Sequence, residues 1–96
     1  MEINEMVELC HKVAKEKGFW EKERETGTIL MLIVSELGEA LEADRNNDFE
    51  NFKEEIADTV IRIFDYCGYL KIDLEKEILK KYEKNKLRPY KHGKKY

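Results

Sequence analysis

Hydrophobic residues recur every three or four positions along most of the chain, which is the spacing of one face of an amphipathic helix. Residues that interrupt helices are few, because the chain has five glycines and a single proline, Pro89, near the C-terminus. Long helices can therefore form without a break. The pattern predicts an all-α fold of four helices, over residues 2–17, about 25 or 28 to 45, 49–70 and 74–87.

Short polar segments separate the predicted helices. Gly18 is expected to end the first helix, since glycine readily adopts the left-handed conformation found after helix ends. The segment Asn46-Asn47-Asp48 has the composition of a turn, and Asp or Asn before a helix commonly caps its N-terminus. Asp73 is expected to cap the fourth helix in the same way, and Pro89 to end it.

Two acidic pairs of identical spacing flank the turn: Glu36 with Glu39 before it, and Glu55 with Asp58 after it. Residues three apart on a helix are surface neighbours, with Cβ atoms roughly 5 to 6 Å apart, so each pair can direct two carboxylates at one point. If the turn folds the two helices antiparallel, all four carboxylates converge. Like charges at close range push one another towards protonation, and a hard cation such as Mg²⁺, Mn²⁺ or Ca²⁺ relieves this.

The two pairs differ in their surroundings. Glu36 lies in the middle of the apolar face of its helix, and no Lys or Arg lies one turn away. A carboxylate on a buried face must be protonated, bound to a cation or paired with a basic residue of another helix, and the sequence leaves these choices open. Glu55 and Asp58 lie off the apolar face of their helix, so this pair alone is typical of a solvated surface. That apolar face consists of Phe52, Ile56, Val60, Ile63, Phe64 and Cys67.

Length and composition favour one small cytoplasmic domain that spans residues 1–96. Charged residues are 41% of the chain and apolar residues 42%, which is typical of amphipathic helices with solvated outer faces. The longest apolar run, residues 29–34, is far too short to cross a membrane, and the acidic N-terminus is unlike a signal peptide. Cys10 and Cys67 lack ligand-like spacing, and we interpret them as buried free thiols.

Charge is distributed unevenly along the chain. Residues 1–70 hold 8 Lys or Arg against 17 Asp or Glu, whereas residues 71–96 hold 10 against 4. The acidic body and the basic end should attract one another, or share an anionic ligand bridged by metal. The segment 84–95 contains no acid and is either a frayed, solvated end or a phosphate-binding segment. Trp20 likewise either caps the small core or offers its face to a nucleobase.

The motif ExxE, a spacer and then ExxD on consecutive helices resembles the MazG-like, all-α nucleoside triphosphate pyrophosphohydrolases. The C-terminal segment strengthens the resemblance, because Lys81, Asn85 and Arg88 match that family's Lys-x-x-x-Asn-x-x-Arg stretch and a Pro-Tyr-Lys-His-Gly ending follows. Many members open the first motif with two adjacent acids, and this chain has Ser35 in the first of these positions. That departure bears on the number of metal ions and on the identity of the catalytic base.

The resemblance implies a four-helix bundle that assembles as a homodimer or homotetramer. It also implies a cytoplasmic, Mg²⁺-dependent enzyme, with Mn²⁺ as an alternative metal, that hydrolyses (deoxy)nucleoside triphosphates to the monophosphate and pyrophosphate as nucleotide pool housekeeping. Glu36 or Glu39 would orient or deprotonate the attacking water. The metal ligands would be Glu36, Glu39, Glu55 and Asp58, and the substrate-binding residues Trp20, Lys81, Asn85, Arg88 and Lys91.

Two alternatives remain open at the level of sequence. Another pyrophosphatase of the same superfamily, acting on phosphoribosyl-ATP or on dUTP or dCTP, would share the same carboxylates. A non-catalytic helical module would instead bind a partner or nucleic acid through its basic end, although the acidic body makes broad nucleic-acid binding unfavourable. Glu36→Gln separates the two classes, because it should abolish hydrolysis by an enzyme and leave partner binding by a module nearly intact.

Overall fold

A computed structural model describes residues 1–96 and contains four α-helices with no strand. The all-α prediction is confirmed, and each helix boundary lies within two residues of the expected one. The third helix begins and ends where the sequence predicts. The elements are α1 (Ile3–Glu16), α2 (Thr26–Arg45), α3 (Phe49–Leu70), α4 (Leu74–Lys86) and a 3₁₀ turn (Tyr90–Gly93).

The helix ends carry the predicted capping residues. The Asp48 carboxylate accepts a hydrogen bond of 3.1 Å from the backbone N–H of Asn51, and Asp73 accepts one of 3.1 Å from Lys76. Each bond satisfies an N–H that has no partner within its helix. Gly18 has a φ of +89°, which lets the chain leave α1 at once. These local interactions explain why the boundaries could be predicted.

Helix α3 is the centre of the fold, because α2 and α1 both pack against it. The three-residue turn between α2 and α3 makes them an antiparallel hairpin. Helix α4 packs on α1 instead, where the Asn4 side chain donates to Asp73 at 2.9 Å and accepts from the backbone N–H of Glu75 at 3.1 Å. The bond from Asn4, together with that from Lys76, lowers the pKa of Asp73.

The fully buried core is small for a chain of this length. It holds five apolar residues and one polar one, Thr59, whose hydroxyl donates to the Glu55 carbonyl oxygen at 2.8 Å. Both cysteines are free, as predicted, but only Cys67 is buried, whereas Cys10 is partly exposed. The apolar members of the core are Val7, Ile29, Ala40, Ala43 and Cys67.

An apolar stripe, defined here by seven residues of α2 and α3, remains on the surface. Each of its side chains is 38 to 50% exposed. The α3 members belong to the apolar face that the sequence predicts for this helix, and they stay partly exposed because α3 turns its more polar face towards α2. At 100° per residue, the stripe lies on one side of the hairpin and turns away from Glu36 and Glu55. Its members are Leu30, Val34, Leu37, Leu41, Ile56, Val60 and Ile63.

None of the four helices combines the length and the hydropathy that crossing a membrane requires. The C-terminal segment is the least packed part of the chain. Leu87 and Tyr90 are 88% and 89% exposed, and the 3₁₀ turn that follows Pro89 contains three residues of positive φ, Lys91, His92 and Gly93. The basic end therefore projects from the bundle.

Helices α1 and α3 approach each other closely at Gly68, and this gives a test of the fold. A Cβ at this position would lie 2.6 Å from the Cβ of His11. We expect Gly68→Ala to lower the free energy of unfolding by about 1 to 3 kcal/mol, since overpacking outweighs the gain in helix propensity. Urea denaturation measures this change. Gly27→Ala is the matched control, because nothing lies within 4 Å of its Cβ. Equal stability of the two variants would contradict this packing of α1 on α3.

Candidate metal centre and adjoining cavity

Three carboxylates from two helices meet beside the α2–α3 turn. Glu36 and Glu39 come from successive turns of α2, and Glu55 comes from the facing turn of α3. One oxygen of each carboxylate lies within 4.8 Å of the others. The antiparallel hairpin thus brings together three of the four acids that the sequence selects, and we call these three residues the carboxylate cluster.

Asp58 does not join the carboxylate cluster, so the expected convergence of all four acids is wrong for this chain in isolation. The cause is the helical repeat, since three residues correspond to 300° and turn Asp58 about 60° further from α2 than Glu55. Asp58 instead lines a neighbouring cavity that Glu36 also lines. Glu36 thereby connects the cluster to the cavity.

Glu36 is held by an ion pair that crosses from α2 to α3. The Nε of Arg62 donates to its Oε1 at 3.0 Å, and the Glu36 side chain is only 12% exposed. Burial acts to raise the pKa of Glu36, but the hydrogen bond and the charge of Arg62 lower it overall. Pairing with a basic residue of another helix is one of the choices that the sequence left open. Glu36 therefore stays ionised, and any metal ion at the cluster shares it with Arg62.

Glu55 has the opposite behaviour. Sharing a proton with Glu39 is the main cause that raises its pKa to about 7, followed by burial and by the same sharing with Glu36. Its Oε2 atom is inaccessible to solvent and has no hydrogen-bond partner. Without a cation, the cluster is accommodated by partial protonation of this residue. Because a metal ion replaces such a proton, the orphaned oxygen and the three oxygen donors fit a hard divalent cation.

A cavity of about 520 Å³ adjoins the carboxylate cluster. Its polar floor includes Glu36, Asp58 and Arg62, and its walls come from α1, α3 and the α1–α2 linker. The sequence did not predict this cavity, because the spacing of apolar residues on α1 indicates an amphipathic helix but not which part of its apolar face remains uncovered. The signal available in the sequence was the large number of apolar residues at three-and-four spacing on a short helix. The apolar walls are Met6, Leu9, Val13, Ala14, Phe19 and Ile61.

Trp20 is engaged by other residues of the chain. Its Nε1–H donates to Asp65 Oδ1 at 2.8 Å, and its ring stacks on Tyr69 with the ring centres 4.0 Å apart. His11 Nδ1 lies 2.8 Å from the same Asp65 oxygen. The ring is absent from the cavity walls. These contacts favour the interpretation of Trp20 as a residue that caps the core, and its binding to a base stays a prediction.

The predicted phosphate-binding residues lie apart from the carboxylate cluster within one chain. Lys81 and Asn85 line a shallow depression on α4, and Lys91 lines another in the C-terminal segment, whereas Arg88 lies in the turn between them. None of the four borders the cavity or the cluster. The reason is topological, because α4 packs on α1 through Asn4 and not on the hairpin.

The raised pKa of Glu55 predicts how stability depends on pH. The unfolded chain loses this proton near pH 4.5, whereas the folded chain keeps it until about pH 7. The contribution of Glu55 to the free energy of unfolding is therefore full below pH 4.5 and is lost as the pH rises towards 7. We expect the stability difference between the parent and Glu55→Gln, measured by urea denaturation without metal, to shift in favour of the variant across this range.

The neighbouring exposed acid provides the control. Glu54→Gln removes the same charge one residue away and should leave the pH profile parallel to that of the parent. A Glu55→Gln profile that is also parallel would contradict the crowding of the three carboxylates.

Comparison with protein-family models, with curated proteins and with solved structures found no match in any of the three. The MazG-like resemblance accordingly stays a prediction that depends on the spacing of the acids and on the C-terminal segment. The function of the chain is inferred from its residues and their geometry.

Proposed function

We propose that this chain is a Mg²⁺-dependent nucleoside triphosphate pyrophosphohydrolase, which converts a (deoxy)nucleoside triphosphate to the monophosphate and pyrophosphate. The observation that carries the proposal is the carboxylate cluster, whose member Glu55 has an orphaned, inaccessible oxygen and a raised pKa. An oxygen that is shut off from solvent and has no hydrogen-bond partner supports a site that holds a cation. The resemblance to MazG-like enzymes supports the same reaction.

Glu36, Glu39 and Glu55 would hold Mg²⁺, with Mn²⁺ as the alternative metal, and Asp58 would approach from the cavity. When bound, such an ion supplies charge for the triphosphate oxygens and lowers the pKa of the attacking water. All four candidate ligands offer carboxylate oxygens, the donors that Mg²⁺ and Mn²⁺ prefer. Ser35 hydrogen-bonds to the Leu32 carbonyl oxygen at 2.6 Å, so it supplies no charged ligand in place of an acid.

Of the two candidate bases, Glu39 fits the role better than Glu36. Arg62 uses the charge of Glu36 and lowers its pKa, which weakens it as a proton acceptor. Glu39 forms no ion pair and is exposed to solvent, so a water molecule can reach it. Glu39 would orient the water and accept its proton, while Glu36 holds a fixed negative charge at the cluster.

We also propose that two copies of the chain associate through the apolar stripe. Completing the burial of these half-exposed side chains contributes on the order of 1 kcal/mol each. Together, seven side chains from each copy would offset most of the roughly 4 to 15 kcal/mol that is lost on association. A tetramer would contain the same dimer.

Two alternatives rest on the same features. Phosphoribosyl-ATP, dUTP and dCTP would use the same carboxylates, and the order of hydrolysis rates decides among them. The non-catalytic module is favoured only by the exposed basic segment beyond α4. The free cysteines agree with a cytoplasmic location, which stays a prediction.

Replacement of Glu36 tests the reaction class. We expect the parent chain with Mg²⁺ to release pyrophosphate from a panel of standard and damaged (deoxy)nucleoside triphosphates, and EDTA to abolish the release. Glu36→Gln should reduce the rate at least 100-fold, because it removes one of the carboxylate charges that would hold Mg²⁺. Glu54→Gln, an exposed acid outside the cluster, should retain the parent rate. The enzyme proposal fails if the parent releases no pyrophosphate from any of these compounds.

A charge placed in the apolar stripe tests the assembly. Leu37→Glu should convert a dimer of the parent into monomers, as measured by light scattering during size-exclusion chromatography, because the carboxylate would be desolvated at the interface. Leu79→Glu makes the same change at an exposed apolar position on α4 and should leave the dimer intact. Dissociation by Leu79→Glu alone would assign the interface to α4 instead.

A further inference from the structure

The cavity beside the carboxylate cluster has the size and lining of a small-molecule site. Its volume of about 520 Å³ falls within the usual range for ligand pockets, and most of its wall is apolar. We propose that this cavity binds the heterocyclic base of the nucleotide and that Phe19, and not Trp20, supplies its aromatic wall. This inference rests on the proposed function, since it assigns one part of the substrate to one surface.

Continuity with the carboxylate cluster determines which surface the base can reach. Two depressions adjoin the cluster, one on the α1 side and a smaller one beside the α2–α3 turn. The smaller depression is lined by Glu42 and Asp48 together with members of the cluster, and Ala43 is its only apolar residue. An anionic ligand is repelled there, and a base finds no apolar surface. The cavity on the α1 side, which shares Glu36 with the cluster, is therefore the compatible one.

Phe19 is available for stacking and Trp20 is not. Trp20 is stacked on Tyr69 and donates to Asp65, so moving its ring would break both contacts. Phe19 lines the cavity with 55% of its surface exposed, and its backbone N–H donates to the Ala14 carbonyl oxygen at 3.1 Å. The backbone position is thus fixed while the ring remains free. An aromatic ring in this state can stack on any base.

The charges around the cavity also suit a nucleotide. Lys17, Arg24 and Asp58 line it without an ion-pair partner, and the Arg24 guanidinium lies over the Trp20 ring, 5.2 Å from its centre. Arg62 is paired with Glu36, and Asp65 is occupied by His11 and Trp20. Three cations and three carboxylates therefore line this apolar cavity, so it does not repel an anionic ligand as the smaller, acidic depression does.

Cys10 provides a direct probe, because it lines the cavity and is partly exposed, whereas Cys67 is buried. Burial raises the pKa of both thiols, so alkylation by iodoacetamide is slow enough to follow by mass spectrometry. We expect millimolar dAMP, dCMP, dGMP or dTMP to slow labelling of Cys10 severalfold. Inorganic tripolyphosphate, which has no base, should leave the labelling rate unchanged. Equal protection by tripolyphosphate, or no protection by any nucleotide, would overturn the inference.

Substitution of Phe19 separates stacking from structure. Phe19→Ala should raise KM about tenfold for the best triphosphate of the panel and change kcat little, and Phe19→Tyr should restore KM. In Phe19→Ala, nucleotides should also no longer slow the labelling of Cys10. An unchanged KM together with retained protection would show that the base lies elsewhere.

The outcomes also separate this inference from the proposed function. Nucleotide protection of Cys10 without hydrolysis of any triphosphate would remove the enzyme and leave the base site. Hydrolysis of a triphosphate without nucleotide protection of Cys10 would keep the enzyme and remove the base site. If a second copy covers the cavity, labelling of Cys10 will fall as the protein concentration rises and will not respond to nucleotide, which would also overturn the inference.

Discussion

Repulsion among three carboxylates between α2 and α3 is the constraint on which the rest of this structure depends. Two devices of the chain relieve it: the Arg62 ion pair stabilises the charge of Glu36, and a proton held near neutral pH removes the charge of Glu55. The devices are unequal, because the ion pair is permanent whereas the proton can be exchanged. Crowding of this kind makes the stability of the chain lower than the same helices would have with neutral side chains.

The small core and the exposed stripe follow from the same arrangement. Helix α3 turns Glu55, Thr59 and Arg62 towards α2, so the apolar side chains that the hydrophobic pattern assigns to the core are displaced to one side of the hairpin. The carboxylates then lie on the other side, next to the cavity. A partner bound to the stripe would leave the cavity open, and the two surfaces can therefore serve assembly and chemistry separately.

The sequence could predict features that depend on residues close together along the chain. It could not predict contacts that depend on how the helices are rotated relative to one another. The helix bounds followed from periodicity and from caps such as Asp48, all of which act within a few residues. The pairing of Glu36 with Arg62, 26 positions away, was open because the sequence does not fix which face α3 turns to α2. The displacement of Asp58 and the occupation of Trp20 by Asp65 and Tyr69 depend on the same rotation.

The network around Asp65 shows why neighbouring aromatic residues can have different roles. Asp65 accepts from Trp20 and lies against His11, so it ties the linker after α1 to α3. Gly18, with its positive φ, reverses the chain just before this point and leaves Phe19 on the cavity side. The two rings are adjacent in sequence, yet the Trp20 ring holds the linker against α3 and the Phe19 ring faces the cavity. If the cavity binds a nucleotide as proposed, both roles are needed, because a linker that was not fixed would have to be ordered each time a ligand bound, at a cost in conformational entropy.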